Sequence, residues 1–400
     1  MPWVRSLLTL TLTLTMALVT STVAAADEPV AAVGVEDDSP ADESGLGGPQ
    51  VNLHGSGVWN YGITDHNRYR SATPTGGYDR FTFNFHADAE VTSQLRAIVS
   101  LFAESGGEEE PGVTLDYAYA EWTFNRHAKL HVGKPKHPFG LYALIWDIGT
   151  LRPFIMLPQA VYGTSGFIAE SYLGAGLTGS FGGSGGWALT YDLYGGQLQL
   201  AGEEPFALLG GDMGGMDMGA DPGVVSEQTV RNAVGAKLVL ATPVMGLSLG
   251  ASGYAGETEM HDGLHRVFGA QLEYQGLDWV LRAEAIYHNA GGDLTSYAGY
   301  VETSYMLGEH WQVAALADWL KVEFTNDPDD PLTEPLERHF EYAVGLNYWF
   351  SVNMQVKVAA HTIDGNRFAH PAEDKLDEVV MGDDLRHRTN LVTLGAAFTY

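Results

Sequence analysis

A chain of 400 residues with 50 acidic against 21 basic side chains carries a formal charge of −29 at pH 7, which repels polyanions and excludes a nucleic-acid partner. It contains no cysteine, so a disulfide framework, a thiol nucleophile and a thiolate metal site are excluded too. Beyond the first 26 residues no apolar run reaches the about 18 residues that a spanning helix needs, so the chain could cross a membrane only as a closed barrel of strands.

Residues 1–26 combine Arg5, an apolar run from Leu7 to Val19 and Ala24, Ala25 and Ala26 before Asp27, the pattern of a secretory signal peptide. Residues 27–49 are acidic, rich in small residues and without periodicity, so they are expected to form a disordered periplasmic tail. From residue 50 to 400 the chain alternates. Phe81, Phe83, Phe85, Ala87 and Ala89 make one face of a strand, with Arg80, Thr82, Asn84, His86, Asp88 and Glu90 on the other. The same split recurs down the chain. Leu277, Trp279, Leu281, Ala283 and Ala285 oppose Asp278, Arg282, Glu284 and His288; Phe340, Tyr342 and Val344 oppose His339, Glu341 and Ala343.

A soluble sandwich would also alternate, but three features point to a transmembrane antiparallel β-barrel. Aromatic residues gather at strand ends (Trp59, Trp187, Trp311, Trp319, Trp349 and Phe350), as at a membrane interface. Connections alternate between short (Gly182 to Gly186) and long (Ala201 to Gln228, Gly365 to Arg388). The chain ends on an alternating strand whose outward face is Val392, Leu394, Ala396, Phe398 and Tyr400. About sixteen strands are expected, starting near residues 51, 80, 94, 113, 128, 171, 187, 229, 246, 266, 277, 294, 310, 339, 351 and 389, with both termini periplasmic. The strand over 113–124 is the least regular, because Asp116 and Glu121 fall on opposite faces of a simple alternation.

The stretch KLHVGKPKHPFGLYALIWDIGTLRPFIMLPQAVYG, Lys129 to Gly163, begins as a strand and then breaks the pattern. Pro135, Pro138, Pro153 and Pro158 cannot donate to a ladder, while Phe139, Leu141, Tyr142, Ile145, Trp146, Phe154, Ile155 and Met156 demand burial. Irregular backbone at membrane depth can lie only inside the barrel, so residues 137–162 are expected to fold inward as a constriction loop. The wording VGKPKHPFGLY…RPFIMLPQAVYG resembles the third-loop region of Gram-negative outer-membrane porins, in particular the family that includes the phosphate-selective porins. The resemblance implies passive diffusion of small hydrophilic solutes or ions, embedding in outer-membrane lipid and lipopolysaccharide, and a homotrimer. It departs from the phosphate-selective members in having few basic residues and no arginine ladder, so a weak cation preference is expected instead.

Asp147 and Arg152 are the charges expected at the constriction. Arg80, His86, Asp88, Arg96, Lys129, His131, Arg282, Glu284, Glu302, Glu341 and Lys357 are expected to line the pore, either as a transverse field or as a solvated wall of paired charges. No cofactor is expected. His261 and His265 lack the helix that would make their spacing converge on a metal, and Met213, Met216 and Met218 sit in a glycine-rich acidic loop that a flexible connection explains. Two other classes stay open: a barrel enzyme of phospholipase or protease type, although no nucleophile and base stand in a recognisable motif, and a structural or adhesive barrel.

Overall fold

Strands with one apolar and one polar face cannot bury both against protein, and here they resolve the conflict by closing a sheet on itself, apolar side outward. The structure, a computed structural model, describes residues 50–79, 81–106, 111–163, 167–203, 225–258, 263–292, 294–324, 337–370 and 386–400. The leader, the acidic tail, Arg80, His261 and the methionine-bearing segment 213–218 lie outside the described residues.

Sixteen long strands make the barrel: β1 (Gln50–Thr64), β2 (Phe81–Glu90), β3 (Leu95–Ser105), β4 (Gly112–Asn125), β5 (Ala128–Lys134), β6 (Tyr172–Gly182), β7 (Ala188–Glu203), β8 (Val225–Ala241), β9 (Leu247–Thr258), β10 (Leu264–Gln275), β11 (Trp279–Ala290), β12 (Leu294–Leu307), β13 (Trp311–Phe324), β14 (Arg338–Ser351), β15 (Met354–Asp364) and β16 (Arg388–Thr399). Each pairs antiparallel with its sequence neighbours, and β16 closes on β1 from Ser56 opposite Thr399 to Thr64 opposite Leu391. The two-residue strand Gly77–Tyr78 adds to β1, and Arg68–Tyr69 pairs with Ala369–His370, tying the first long connection to the last. Strand starts fall within four residues of the expected positions; the largest difference is β8, which begins at Val225 rather than near 229.

The closing seam is packed by aromatic rings. Tyr400 stacks on Phe83 at 6.2 Å and Phe398 on Phe81 at 6.4 Å. A β-carbon at Gly55 would stand 2.1 Å from the Tyr400 ring, so glycine there makes room for the terminal residue. Outward aromatics form two belts. Trp187, Trp279, Tyr305, Trp311 and Phe350 lie near the short turns, and Tyr287, Tyr297, Trp319, Phe340 and Tyr342 stand further along their strands, all more than a third exposed. Trp279 and Tyr287 are eight residues apart on β11, about 20 Å of height for a tilted strand, which suits a lipid-facing band.

Two details correct the sequence reading. Asp278 is not on the inner wall; it lies in the exposed turn before β11, where its carbonyl accepts Met306 N–H at 2.8 Å. His265, expected from sequence to lie in an extracellular loop, is instead inside β10, 1% exposed and within 3.1 Å of the Tyr254 hydroxyl. The conflict in β4 is resolved by a bulge. Tyr117 pairs with Ser100 but Leu115 pairs with Leu101, so Asp116 is the extra residue, and parity changes there. Asp116 and Glu121 consequently both point inward, each 6% exposed.

Candidate functional site: an in-folded loop and the lumen beside it

Between β5 and β6 the chain, over its described residues 135–163 and 167–171, does not join the sheet apart from a bridge between Lys136 and Ser171. It carries a 3-10 turn at Gly149–Leu151 and a four-residue helix α1 (Gln159–Tyr162). The in-folded segment is thus longer than 137–162, since Phe167, Ile168 and Ala169 are buried as well. Phe139, Tyr142, Phe154, Ala160 and Val161 are 0–1% exposed, so the loop is packed as tightly as a core.

Prolines and the lack of a ladder leave the loop with backbone groups to satisfy, and inward wall side chains do this. Lys237 Nζ donates to Gly140 O at 2.5 Å and Ser252 accepts Gly140 N–H at 3.2 Å. Glu284 accepts Leu141 N–H at 3.0 Å, together with the hydroxyls of Tyr162 and Tyr300. Arg282 donates to Leu151 O at 3.2 Å, Asn347 to Pro153 O at 2.8 Å, and Gln355 to Thr150 O at 2.8 Å. Lys357 Nζ donates to the carbonyls of Gly149 (2.7 Å) and Arg152. Glu302 takes the Tyr142 hydroxyl and lies 3.7 Å from Arg282.

Arg282, Glu284, Glu302, Glu341 and Lys357 therefore sit on the inner face as their parity requires, but not as an open lining: they are 1–7% exposed, covered by the loop. The charges of the first three and of Lys357 go to the loop or to one another because the loop rests on this arc of wall, whereas Glu341 meets the wall histidines His361 and His339. The remaining wall residues lie on the opposite arc. Arg96 bonds Asp88 at 2.6 Å and approaches Glu121 at 3.7 Å; Glu121 also takes Lys129 at 3.3 Å and His131 at 2.9 Å. His86 meets the Tyr117 hydroxyl at 2.8 Å.

Between the loop and that arc lies a cavity of about 540 Å³. Asn60, Asp79, Asn84 and Glu104 face it from the wall, and Trp146, Asp147, Arg152 and Glu170 from the loop; Arg70 also reaches it. Among the described residues its charged lining is four carboxylates (Asp79, Glu104, Asp147, Glu170) and two guanidiniums (Arg70, Arg152). Asp147 is held by Lys136, whose Nζ also lies 3.3 Å from Asp116, and its backbone carbonyl accepts the Ser56 hydroxyl at 2.9 Å. Burial alone would pull the Lys136 pKa down, but Asp147, Asp116 and Glu170 outweigh it and hold the ammonium above an ordinary lysine. Crowding by the surrounding protein atoms, and then the charge of Asp147, push the Glu170 carboxyl up to about 7, with Lys136 opposing. His137 is different: fully buried, bonded to Ala169 O at 3.2 Å and Tyr194 Oη at 2.7 Å, it is depressed by burial to about 3 and stays neutral.

Lys136, Glu170, Asp79 and Glu104 were not singled out from sequence. Lys136 lies between two prolines and Glu170 two residues before a strand, and neither position belongs to an alternating face that would flag it.

A closed sixteen-stranded barrel whose fifth connection packs into its own lumen has the architecture of an outer-membrane diffusion channel. The chain belongs to the family of phosphate-selective porins O and P, which it matches over residues 75–400. It is an outer-membrane porin that lets small hydrophilic solutes pass by passive diffusion. Among solved structures it is similar to the anion-selective porin from Comamonas acidovorans (10% identity, TM-score 0.56, 88% of this chain and 100% of that one). It is also similar to the outer membrane channel DcaP of Acinetobacter baumannii (11%, 0.54, 88% and 98%) and to OmpT of Vibrio cholerae in a trimer form (13%, 0.51, 88% and 99%). At these identities the likeness is one of fold. No curated protein matches the chain.

Proposed function

We propose that this porin favours small cations, and that it works as a homotrimer set in outer-membrane lipid and lipopolysaccharide. The observation that carries the cation preference is the lumen lining, where among the described residues four carboxylates outnumber two guanidiniums. Counting the cluster behind Asp147 does not change the balance, because Lys136 is matched by Asp116. A passing ion meets a net negative field in a passage filled with water, which gives a modest preference rather than a binding site. Asp147 and Arg152 are the loop charges that tune it. On the facing arc Asp88, Arg96, Glu121, Lys129 and His131 pair among themselves, so they add little net field. The trimer rests on the trimer form of the Vibrio cholerae neighbour, which shares the fold.

The test is the reversal potential of the purified protein in a planar bilayer under a potassium chloride gradient. Potassium should permeate a few-fold better than chloride. A chloride-selective channel overturns the charge argument.

A further inference from the structure

Behind α1, the inner faces of β13 and β14 hold Asp318, His339 and Glu341, which are 0%, 1% and 1% exposed. Asp318 and Glu341 are directly opposed across the two strands, and His339 is two residues before Glu341. One nitrogen or oxygen from each lies within 4.8 Å of the others. His339 Nε2 is 3.0 Å from Asp318 Oδ1 and 3.5 Å from Glu341 Oε2. A single imidazole N–H cannot point at both. It serves Asp318, and the buried Glu341 Oε2 makes no hydrogen bond. Leaving a carboxylate oxygen in that condition is costly, because its lost hydration is not replaced.

A cation between the three resolves this. Bonds of about 2.0–2.2 Å in a tetrahedral arrangement place donor atoms roughly 3.3–3.6 Å apart, the scale of the spacings found here. The other oxygen of each carboxylate is already tied down, as metal-binding carboxylates usually are: Asp318 Oδ2 accepts Ala160 N–H at 3.2 Å and Glu341 Oε1 meets His361 Nδ1 at 2.5 Å. The His339 ring is held between Tyr69, stacked at 6.4 Å, and Phe368, edge-on at 4.9 Å. We propose that Asp318, His339 and Glu341 form a buried site for a divalent transition ion of the zinc class, which fastens α1 of the in-folded loop to the barrel wall. The ion is a structural rivet rather than a permeant species, because the site is sealed from the lumen cavity and none of its ligands lines that cavity.

Because the site is closed, the ion should load during folding. The full chain is refolded into detergent with zinc, washed with EDTA to strip surface carboxylates, and its metal content measured; folding is checked by heat-modifiable gel mobility. The wild type should retain about one zinc per chain, and His339→Ala and Glu341→Gln should each lower retention about tenfold or more. His310→Ala, in an exposed turn, should match the wild type. Refolding with cobalt should give a visible absorption band that His339→Ala abolishes. Should His339→Ala fail to fold, the near-isosteric Glu341→Gln carries the comparison. Folded wild type that retains no more zinc than these variants, or that shows no His339-dependent cobalt band, overturns the proposal. Either result is read from metal content and leaves the selectivity measurement independent.

Discussion

At pH 8, where Glu170 is ionised with or without its neighbour, replacing Asp147 with Asn removes one negative charge from the lumen and little else. The amide can still accept from Lys136, and the Ser56 hydroxyl holds the backbone carbonyl, not the side chain. The lining goes from four carboxylates against two guanidiniums to three against two. For an ion passing about 7 Å away in water, one unit charge is worth about 0.6 kcal/mol. Potassium loses that much and chloride gains it, so the unscreened change is about 1.2 kcal/mol, or about eightfold in the permeability ratio. With a screening length of about 10 Å at 0.1 M salt, roughly half the energy survives and the ratio should fall about threefold. The assay is the zero-current potential of single channels across a tenfold potassium chloride gradient, at about 0.1 M on the dilute side. Arg152→Ala should move the potential by a similar amount in the opposite sense. If neither substitution shifts it, the selectivity does not arise in this lining, and the account of Asp147 and Arg152 fails.

Other consequences follow from the loop. Since the Glu170 carboxyl is raised to about 7, it is neutral below that pH and charged above it, so cation preference should grow between about pH 6 and 8; Glu170→Gln should flatten that rise in reversal-potential measurements. His137 is depressed to about 3 from an ordinary 6.5, so the unfolded chain binds the extra proton between those values. Stability to urea should be complete above about pH 6.5 and fall towards pH 3 by up to about 1.4 kcal/mol per pH unit, a slope that His137→Asn should reduce. Tyr162→Phe deprives Glu284 of a donor and Tyr142 N–H of its acceptor, weakening loop docking by about 2–4 kcal/mol; single-channel traces should become noisier while the barrel remains folded.

Alternation exposed the sheet because a closed barrel assigns every strand one lipid face and one interior face, and Phe81 to Glu90 or Trp279 to Ala285 follow that pattern closely. The prolines of the third long connection betrayed its inward course for the same kind of reason: they forbid a ladder while their neighbours demand cover. What parity cannot supply is the difference between an interior that is wet and one that is covered. Glu284 and Asp88 look alike in sequence, yet one carries loop backbone and the other pairs across strands, and only the path of residues 135–171 separates them. The bulge was half legible: the clash of parity between Asp116 and Glu121 showed in the sequence, but not the residue at which the phase changes.

The loop lies against one side of the barrel, which divides the wall into two arcs that can change on separate schedules. Substitutions around Asn60, Asp79, Asn84 and Glu104 meet the solute at once and can retune what passes without disturbing the packing. Substitutions at Lys237, Glu284, Asn347 or Lys357 reach the solute only by shifting the loop, and most will be lost as misfolded or leaky channels before they alter preference. A lineage adapting this pore to a new solute has one permissive flank and one conservative flank, and its record of change should be lopsided around the barrel.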